Sequence, residues 1–287
     1  MEMTIRPIRP EDAEACGRVA YEAHKGVAAA HNFPPEHPSI EFSVGLIQAK
    51  LKDPNAWGAL AERGGHIIGS IFLNTFSSTP VAAIGPLTVQ PAAEGAVGRG
   101  LMNAALEESR QRRLERVRLV QSPSHIRSLV LYAKLGFDVR EPLLLMQGKP
   151  PRAANLRGRQ VRAAVLNDLA ICNQLCVAVH GFAREMEVRL AIEQGGATVV
   201  EHTGRITGYA TGIGFRGHAV GEETEDLKAL IGHAPMFLGP GFFIPSRNGD
   251  LLRWLLGVGL RVGWPAMLMT IGQYQEPAGV FLPSIAF

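Results

Sequence analysis

Gly95, Gly98 and Gly100 stand between Pro91 and the run Leu101-Met102-Asn103-Ala104-Ala105-Leu106. Ile84 to Val89 ahead of them reads as a buried strand, and the run after them has apolar residues at helical spacing. A helix start stripped of side chains presents backbone N–H groups that have no partner within the helix. The helix dipole adds partial positive charge at the same place, which suits a phosphate; the same glycines also serve a purely structural helix start. No Lys-Ser or Lys-Thr follows, and no acidic residue stands about 20 positions on after a strand, which argues against a P-loop and a Rossmann dinucleotide site.

Other reactive side chains read more plainly. His31 and His37 lie in a proline-rich loop with no Cys or Asp cluster beside them, so a solvated loop is expected there, not a metal. Cys172 and Cys176 share one helix face, as core residues do. Arg110, Arg112, Arg113, Arg116 and Arg118 alternate with Glu107, Glu108 and Glu115, the pattern of a solvated helix face. Trp254, Trp264 and Tyr274 are expected in core or interdomain packing.

The elements that must carry these residues can be taken in order. Ile5 to Ile8 reads as a strand, Glu11-Asp12 as the cap of a helix to about His24, and Ile40 to Leu51 as a second helix. Trp57 to Glu62 and His66 to Phe76 form a hairpin about Arg63-Gly64-Gly65. Val117 to Gln121 is a strand and Ser124 to Leu135 a helix stopped by Gly136; Phe137 to Arg140 and Leu143 to Met146 close as strands. Gly148 to Gly158 is the linker, so the expected domains are 1–148 and 159–287 around 149–158. The 287 residues suit two domains, and a net charge of +3 gives no argument for nucleic acid or a membrane surface. Three cysteines without a CxxC, no signal peptide, and charges interrupting the apolar run Leu251 to Ile271 fit a cytoplasmic protein.

The second half repeats the first. An offset of 156 carries Arg6, Asp12, Cys16 and His24 onto Arg162, Asp168, Cys172 and His180. An offset of 139 carries Glu62, Gly65, Ile67 and Gly69 onto Glu201, Gly204, Ile206 and Gly208. An offset of 123 carries Gly136, Val139, Pro142, Leu145 and Met146 onto Gly259, Val262, Pro265, Leu268 and Met269. The offset falls once near the proline-rich loop and once where a second glycine loop would stand.

This pattern resembles the GNAT acetyltransferase superfamily, and a tandem member of it. Val89 and Pro91 followed by Gly98 and Gly100 match its V-x-P and Q/R-x-x-G-x-G/A motif, with Gly95, or Glu94 in a one-residue-shifted alignment, at the Gln/Arg position. Residues 125–137 match its N-x-R-A-x-x-L-Y-x-K-L-G-F signature at Arg127, Leu131, Tyr132, Lys134, Leu135, Gly136 and Phe137, and depart from it at His125 and Ser128. The resemblance implies an α/β (α+β) fold of two GNAT-like domains, each a mixed, mostly antiparallel sheet flanked by helices.

The same resemblance implies acetyl or short acyl transfer from acetyl-CoA, as co-substrate and without a metal, to a primary amine, with a small molecule favoured. N–H groups at Leu87 and Val89 would polarise the donor carbonyl. Tyr132 would give a proton to the leaving thiolate. The acyl-CoA-binding positions it marks are Leu87, Thr88, Val89, Gly95, Ala96, Val97, Gly98, Arg99, Gly100, His125 and Arg127. No carboxylate lies on strands 84–89 or 117–121, so the base stays open among Glu36, His37, Glu41 and His125. The proline-rich loop is expected to line the acceptor site. Leu255 stands where the repeat would place a second tyrosine, so the second half reads as a non-catalytic copy. A homodimer is compatible with the pattern, and two other readings stay open: a non-catalytic acyl-CoA sensor and a structural module.

Overall fold

Arg6, Asp12 and Glu62 make the same contacts as Arg162, Asp168 and Glu201, to which the fixed offsets carry them. Arg6 Nη1 donates to Asp12 Oδ2 at 2.7 Å, and Arg6 Nε donates to Glu62 at 3.3 Å. Arg162 Nη1 donates to Asp168 Oδ2 at 2.7 Å, and its Nε to Glu201 at 2.8 Å. Each aspartate also accepts the N–H of the residue three before it, Arg9 or Val165, at 2.8 Å. One carboxylate therefore closes the entry to a helix and pins it to the first strand. Its arginine holds it below the usual carboxylate range. Cys16 and Cys172 are fully buried, and burial pushes both thiols up to about 12.

The structure, a computed structural model, describes residues 2–33, 36–76, 79–93, 95–151, 156 and 158–285. Glu94, Pro34 and Pro35 of the proline-rich loop, and linker residues 152–155 and 157 lie outside the described residues. The first half runs β1 (Met3–Pro7), α1 (Ala13–His31), α2 (Ile40–Lys52), β2 (Ala56–Arg63), β3 (His66–Thr75), β4 (Val81–Val89), α3 (Ala96–Gln111), β5 (Arg116–Gln121), α4 (Ile126–Lys134) and β6 (Asp138–Gln147). The second runs β7 (Arg159–Ala163), α5 (Leu169–His180), α6 (Glu185–Glu193), β8 (Thr198–His202), β9 (Arg205–Ala210), β10 (Ala219–Gly221), α7 (Thr224–His233), β11 (Phe242–Pro245), α8 (Gly249–Gly257), β12 (Arg261–Ile271) and β13 (Val280–Leu282). This is a mixed α/β fold with helices against its sheets. Among the described residues no helix is long and apolar enough to cross a membrane.

Several sequence expectations change. His31 and His37, expected in a solvated loop, are respectively the last residue of α1 and a buried side chain. The first helix continues past His24 through an alanine-rich segment to His31 and ends at Asn32 in the left-handed conformation, φ 53°. Residues 138–147 form one strand, not two, and its neighbours come from the other half. The larger sheet is ordered β1-β2-β3-β4-β5-β12-β6-β11, so β12 lies between β5 and β6. The pairing of β6 with β12 is self-symmetric under the offset of 123: Leu144 faces Pro265, Leu143 faces Ala266, and Pro142 faces Met267. A local twofold relation passes between Leu143 and Ala266, taking β5 to β11 and β6 to β12. One apolar cluster spans the junction, with Leu143, Leu145, Phe243, Trp264 and Leu268 all buried in it.

Arg118 also departs from the helix-face reading. It sits on β5, buried, with its guanidinium 4.7 Å from the Phe182 ring and 5.4 Å from the Tyr274 ring. Arg110 and Arg112 do pair with Glu107 and Glu108 on the helix before it.

Candidate active site

Strands β4 and β5 pair in parallel only from Val81–Arg116 to Ala83–Arg118. Beyond that point they part, and β4 continues to Val89 paired with β3 alone. Gln90 N–H donates to the Ile68 carbonyl on β3 at 2.9 Å. Ladder bonds alternate along a strand, so the N–H groups of Leu87 and Val89 face the parted edge. Side chains alternate as well. Leu87 and Val89 line a cleft of about 1430 Å³, whereas the Thr88 side chain is buried and bonds Ser70 Oγ at 2.9 Å.

Helix α3 begins where the glycines predict. Gly95 precedes it at φ 102°, no side chain caps it, and its first turn holds no acidic residue. Gly95, Ala96, Gly98, Arg99 and Gly100 line the cleft, while Val97 points into the core with Leu101. Only the backbones of Thr88 and Val97 are therefore available to a ligand. The helix can lie this close to the sheet because of Gly69, where an added Cβ would stand 2.9 Å from the Thr88 carbonyl and 3.0 Å from Leu101. These groups fit a phosphate-bearing acyl carrier: uncapped N–H groups at a bare helix start, with Arg99, Arg127 and Lys134 on the same walls.

Helix α4 crosses the far side of the parting. His125 precedes it, and His125 Nδ1 hydrogen-bonds Ser128 Oγ, which in turn bonds Tyr132. The two positions that depart from the family signature thus form a polar line to the tyrosine. Burial pushes the Tyr132 hydroxyl up to about 12 and lowers the His125 imidazole, so the phenol is protonated and the imidazole neutral at neutral pH. Tyr132, His125 and Arg127 all line the cleft.

The other end of the cleft brings together residues that the sequence scatters. α1 supplies His24 and His31, the residues after it Glu36 and His37, and α2 supplies Lys50. His24 Nδ1 lies 3.3 Å from Glu36 Oε2, and the His24 and His37 rings stack at 4.0 Å. His37 Nδ1 is 2.8 Å from Ser43 Oγ, and burial lowers the His37 pKa to about 3, so its ring is neutral. Lys50 bonds Asn74 Oδ1, and Asn74 Nδ2 donates to the carbonyls of Ala83 and Gly85 where β4 leaves β5. The second half closes this end with Phe215, Arg216, Phe243, Trp264 and Ile285. Trp264 stacks within 5.9 Å of Phe33, so it is both buried packing and cleft wall. Glu41 is not among the lining residues.

The sequence reading missed His24, Lys50, Asn74 and Arg216 as site residues. His24 and His31 are seven apart and share a face of α1, a spacing visible once the helix is carried to His31. Nothing local marks Arg216, which reaches the cleft only through the exchanged strands.

Residues 26–137 match the model of the Acetyltransferase (GNAT) family. No curated protein matches the sequence. Three solved structures align over nearly the whole chain. An acetyltransferase-like protein of Pyrococcus horikoshii has 19% identity and a TM-score of 0.74, covering 97% of this chain and 92% of that one. A GCN5-related N-acetyltransferase of Sphaerobacter thermophilus has 16% identity and a TM-score of 0.65, covering 97% and 98%. A tandem GNAT protein of the clavulanic acid pathway has 16% identity and a TM-score of 0.58, covering 94% and 98%. At these identities the likeness speaks to the fold, and it extends over both halves. The family match thus lies in the first half, across the α3 glycines and into the α4 signature, and the likeness of fold to a tandem GNAT protein takes in both halves.

Proposed function

We propose that the protein transfers an acetyl or short acyl group from acyl-CoA to the primary amine of a small molecule. The observation that carries this reading is convergence: the bare start of α3, the parted edge of β4 and the Tyr132 hydroxyl open on one cleft. The CoA thioester supplies the acyl group. The α3 N–H groups with Arg99 and Arg127 would hold its phosphates, and the N–H groups of Leu87 and Val89 would polarise its carbonyl. Tyr132, still protonated at neutral pH, would give its proton to the sulfur as the C–S bond breaks, and the Ser128–His125 line would return one.

The amine must be neutral to attack. Glu36 is the one carboxylate among the described lining residues, and His24 orients it. Glu36 would take the amine proton, directly or through a water. The cleft is walled by both halves, which suits a small acceptor better than a protein segment.

The test is steady-state acetyl transfer by the full chain, read as CoA release over an amine panel, with Tyr132→Phe beside the wild type. The reading expects turnover to fall in the variant while the affinity for CoA holds. Unchanged turnover in Tyr132→Phe would remove the tyrosine from the mechanism. CoA binding with no turnover on any amine would favour an acyl-CoA sensor.

A further inference from the structure

The lining of the cleft is more basic than the chain as a whole. Lys50, Arg99, Arg127, Lys134 and Arg216 face it against Glu36 alone among the described residues. Arg99, Arg127 and Lys134 belong to the α3 and α4 walls, where the phosphates of an acyl carrier would account for them. Lys50 and Arg216 belong to the opposite end, beside Glu36, His24 and His37, and the acyl carrier gives no reason for their charge.

Lys50 is tied to the neutral Asn74 side chain, and neither Lys50 nor Arg216 forms an ion pair among the described residues. They come from different halves, and Lys50 feels Arg216: burial first, and then the Arg216 charge, lower the Lys50 pKa, against the carboxylates of Asp53 and Glu187, which act to raise it. Arg216 also acts on His37, whose ring stacks on His24. Burial disfavours the charge on Arg216 itself, although the residue as a whole is exposed and lines the cleft. Two cations on one cleft wall, neither in an ion pair among the described residues, offer charge-assisted hydrogen bonds to a ligand anion between them.

We infer that the acceptor is a small amine that also carries an anionic group, a carboxylate or a phosphate, held between Lys50 and Arg216 while its amine faces Glu36. The site is then complementary to a zwitterion: one carboxylate with its histidine at the amine, two cations at the anion. It is also composite, because Arg216 is supplied by the second half. Loss of that residue weakens acceptor binding without touching the acyl-CoA end. This inference rests on the acyl-transfer reading above.

The test uses the full chain with saturating acetyl-CoA and matched acceptors. One arm takes α- and ω-amino acids, a second takes aminoethyl phosphate, and the controls are the amides of the same amino acids and the plain alkylamines. The anionic acceptors should exceed their neutral counterparts in kcat/KM by about 100-fold, the difference between the two anionic arms naming the group. Arg216→Gln should raise KM for the favoured anionic acceptor about 10- to 100-fold, the weight of a charge-assisted hydrogen bond. It should leave kcat within a few-fold and KM for acetyl-CoA unchanged, and Arg216→Lys should recover part of the loss. Neutral amines used as well as anionic ones, or an unchanged acceptor KM in Arg216→Gln, would overturn the inference and leave acyl transfer standing. Bound acetyl-CoA with no turnover on any anionic amine would overturn it too. Failure to bind acetyl-CoA at all would remove the acyl-transfer reading, and this inference with it.

Discussion

The parting of β4 from β5 has an equivalent place in the second half, between β10 and β11, and there it is filled. Strand β13 pairs antiparallel with β10, Ala219 facing Leu282 and Gly221 facing Val280. The helix start that would seat a phosphate is filled as well. Where α3 opens on Gly95 with no cap, α7 opens on Glu223 with Glu225 and Asp226 in its first turn. Asp226 is fully buried and accepts the Glu223 N–H at 3.0 Å, Thr207 Oγ1 at 2.8 Å and Arg159 Nε at 2.8 Å. The same fold thus presents an uncapped helix start in one half and one satisfied by its own carboxylate in the other. The difference lies in a few residues: three glycines against an acidic turn, and a closing strand.

The halves are alike where the fold requires it and different where a ligand would bind, and that contrast can be tested from its largest consequence downward. A chain ended at Gly148 would leave β5 and β6 with no strand between them and expose Leu143, Leu145 and Met146, all buried in the whole protein. It should show no cooperative thermal transition by circular dichroism; a sharp transition would contradict the exchanged-strand account. Next in size is the tyrosine. Tyr132→Phe should lower kcat by roughly 10²- to 10⁴-fold, whereas filling the equivalent place with Leu255→Phe should change stability but not the rate per folded molecule.

The repeated networks should respond alike. Arg6→Ala and Arg162→Ala each strand an aspartate that caps a helix, and each should cost about 1–3 kcal/mol in urea unfolding. Both aspartates have pKa values lowered on folding, so the stability they contribute is present above the unfolded aspartate range and lost as pH falls through the folded values. Either variant should therefore flatten the acid limb of the stability profile; unequal effects would mean that the two networks have diverged. The smallest effect is expected from Ser128→Ala, which interrupts the line from His125 to Tyr132. It should lower kcat several-fold and change its pH profile without altering KM for acetyl-CoA.

Features that depend on residue identity at one place were legible in the sequence. Arg6, Asp12 and Glu62 recur as Arg162, Asp168 and Glu201 because only those side chains make that network. Gly69 and Gly208 recur because a Cβ would run into a neighbouring strand's carbonyl, at 2.9 and 2.7 Å. The helix stops recur at Gly136 and Gly259, with φ of 93° and 90°. Strand partnership was not legible. The apolar alternation of 138–147 and 261–271 says that each strand has a buried face, and it is silent on whether the neighbour lies in the same half. Thr88 and Val97 fell inside the glycine-loop stretch, but strand alternation and the helix face turn their side chains to the core. Glu36, His24, Lys50 and Arg216 meet only after folding, from segments up to 192 positions apart, 216 minus 24.

The measurement closest to the central contrast is calorimetric titration of acetyl-CoA into the full chain and into Gly98→Asp. Gly98 lines the cleft with only ordinary contacts around an added Cβ, the nearest being Leu131 at 3.5 Å, so the substitution places a carboxylate at the α3 start without breaking the core. One site per chain in the wild type, weakened by more than about tenfold in Gly98→Asp, is the predicted result. Two sites per chain, or full affinity in the variant, would contradict a binding site open in the first half and closed in the second.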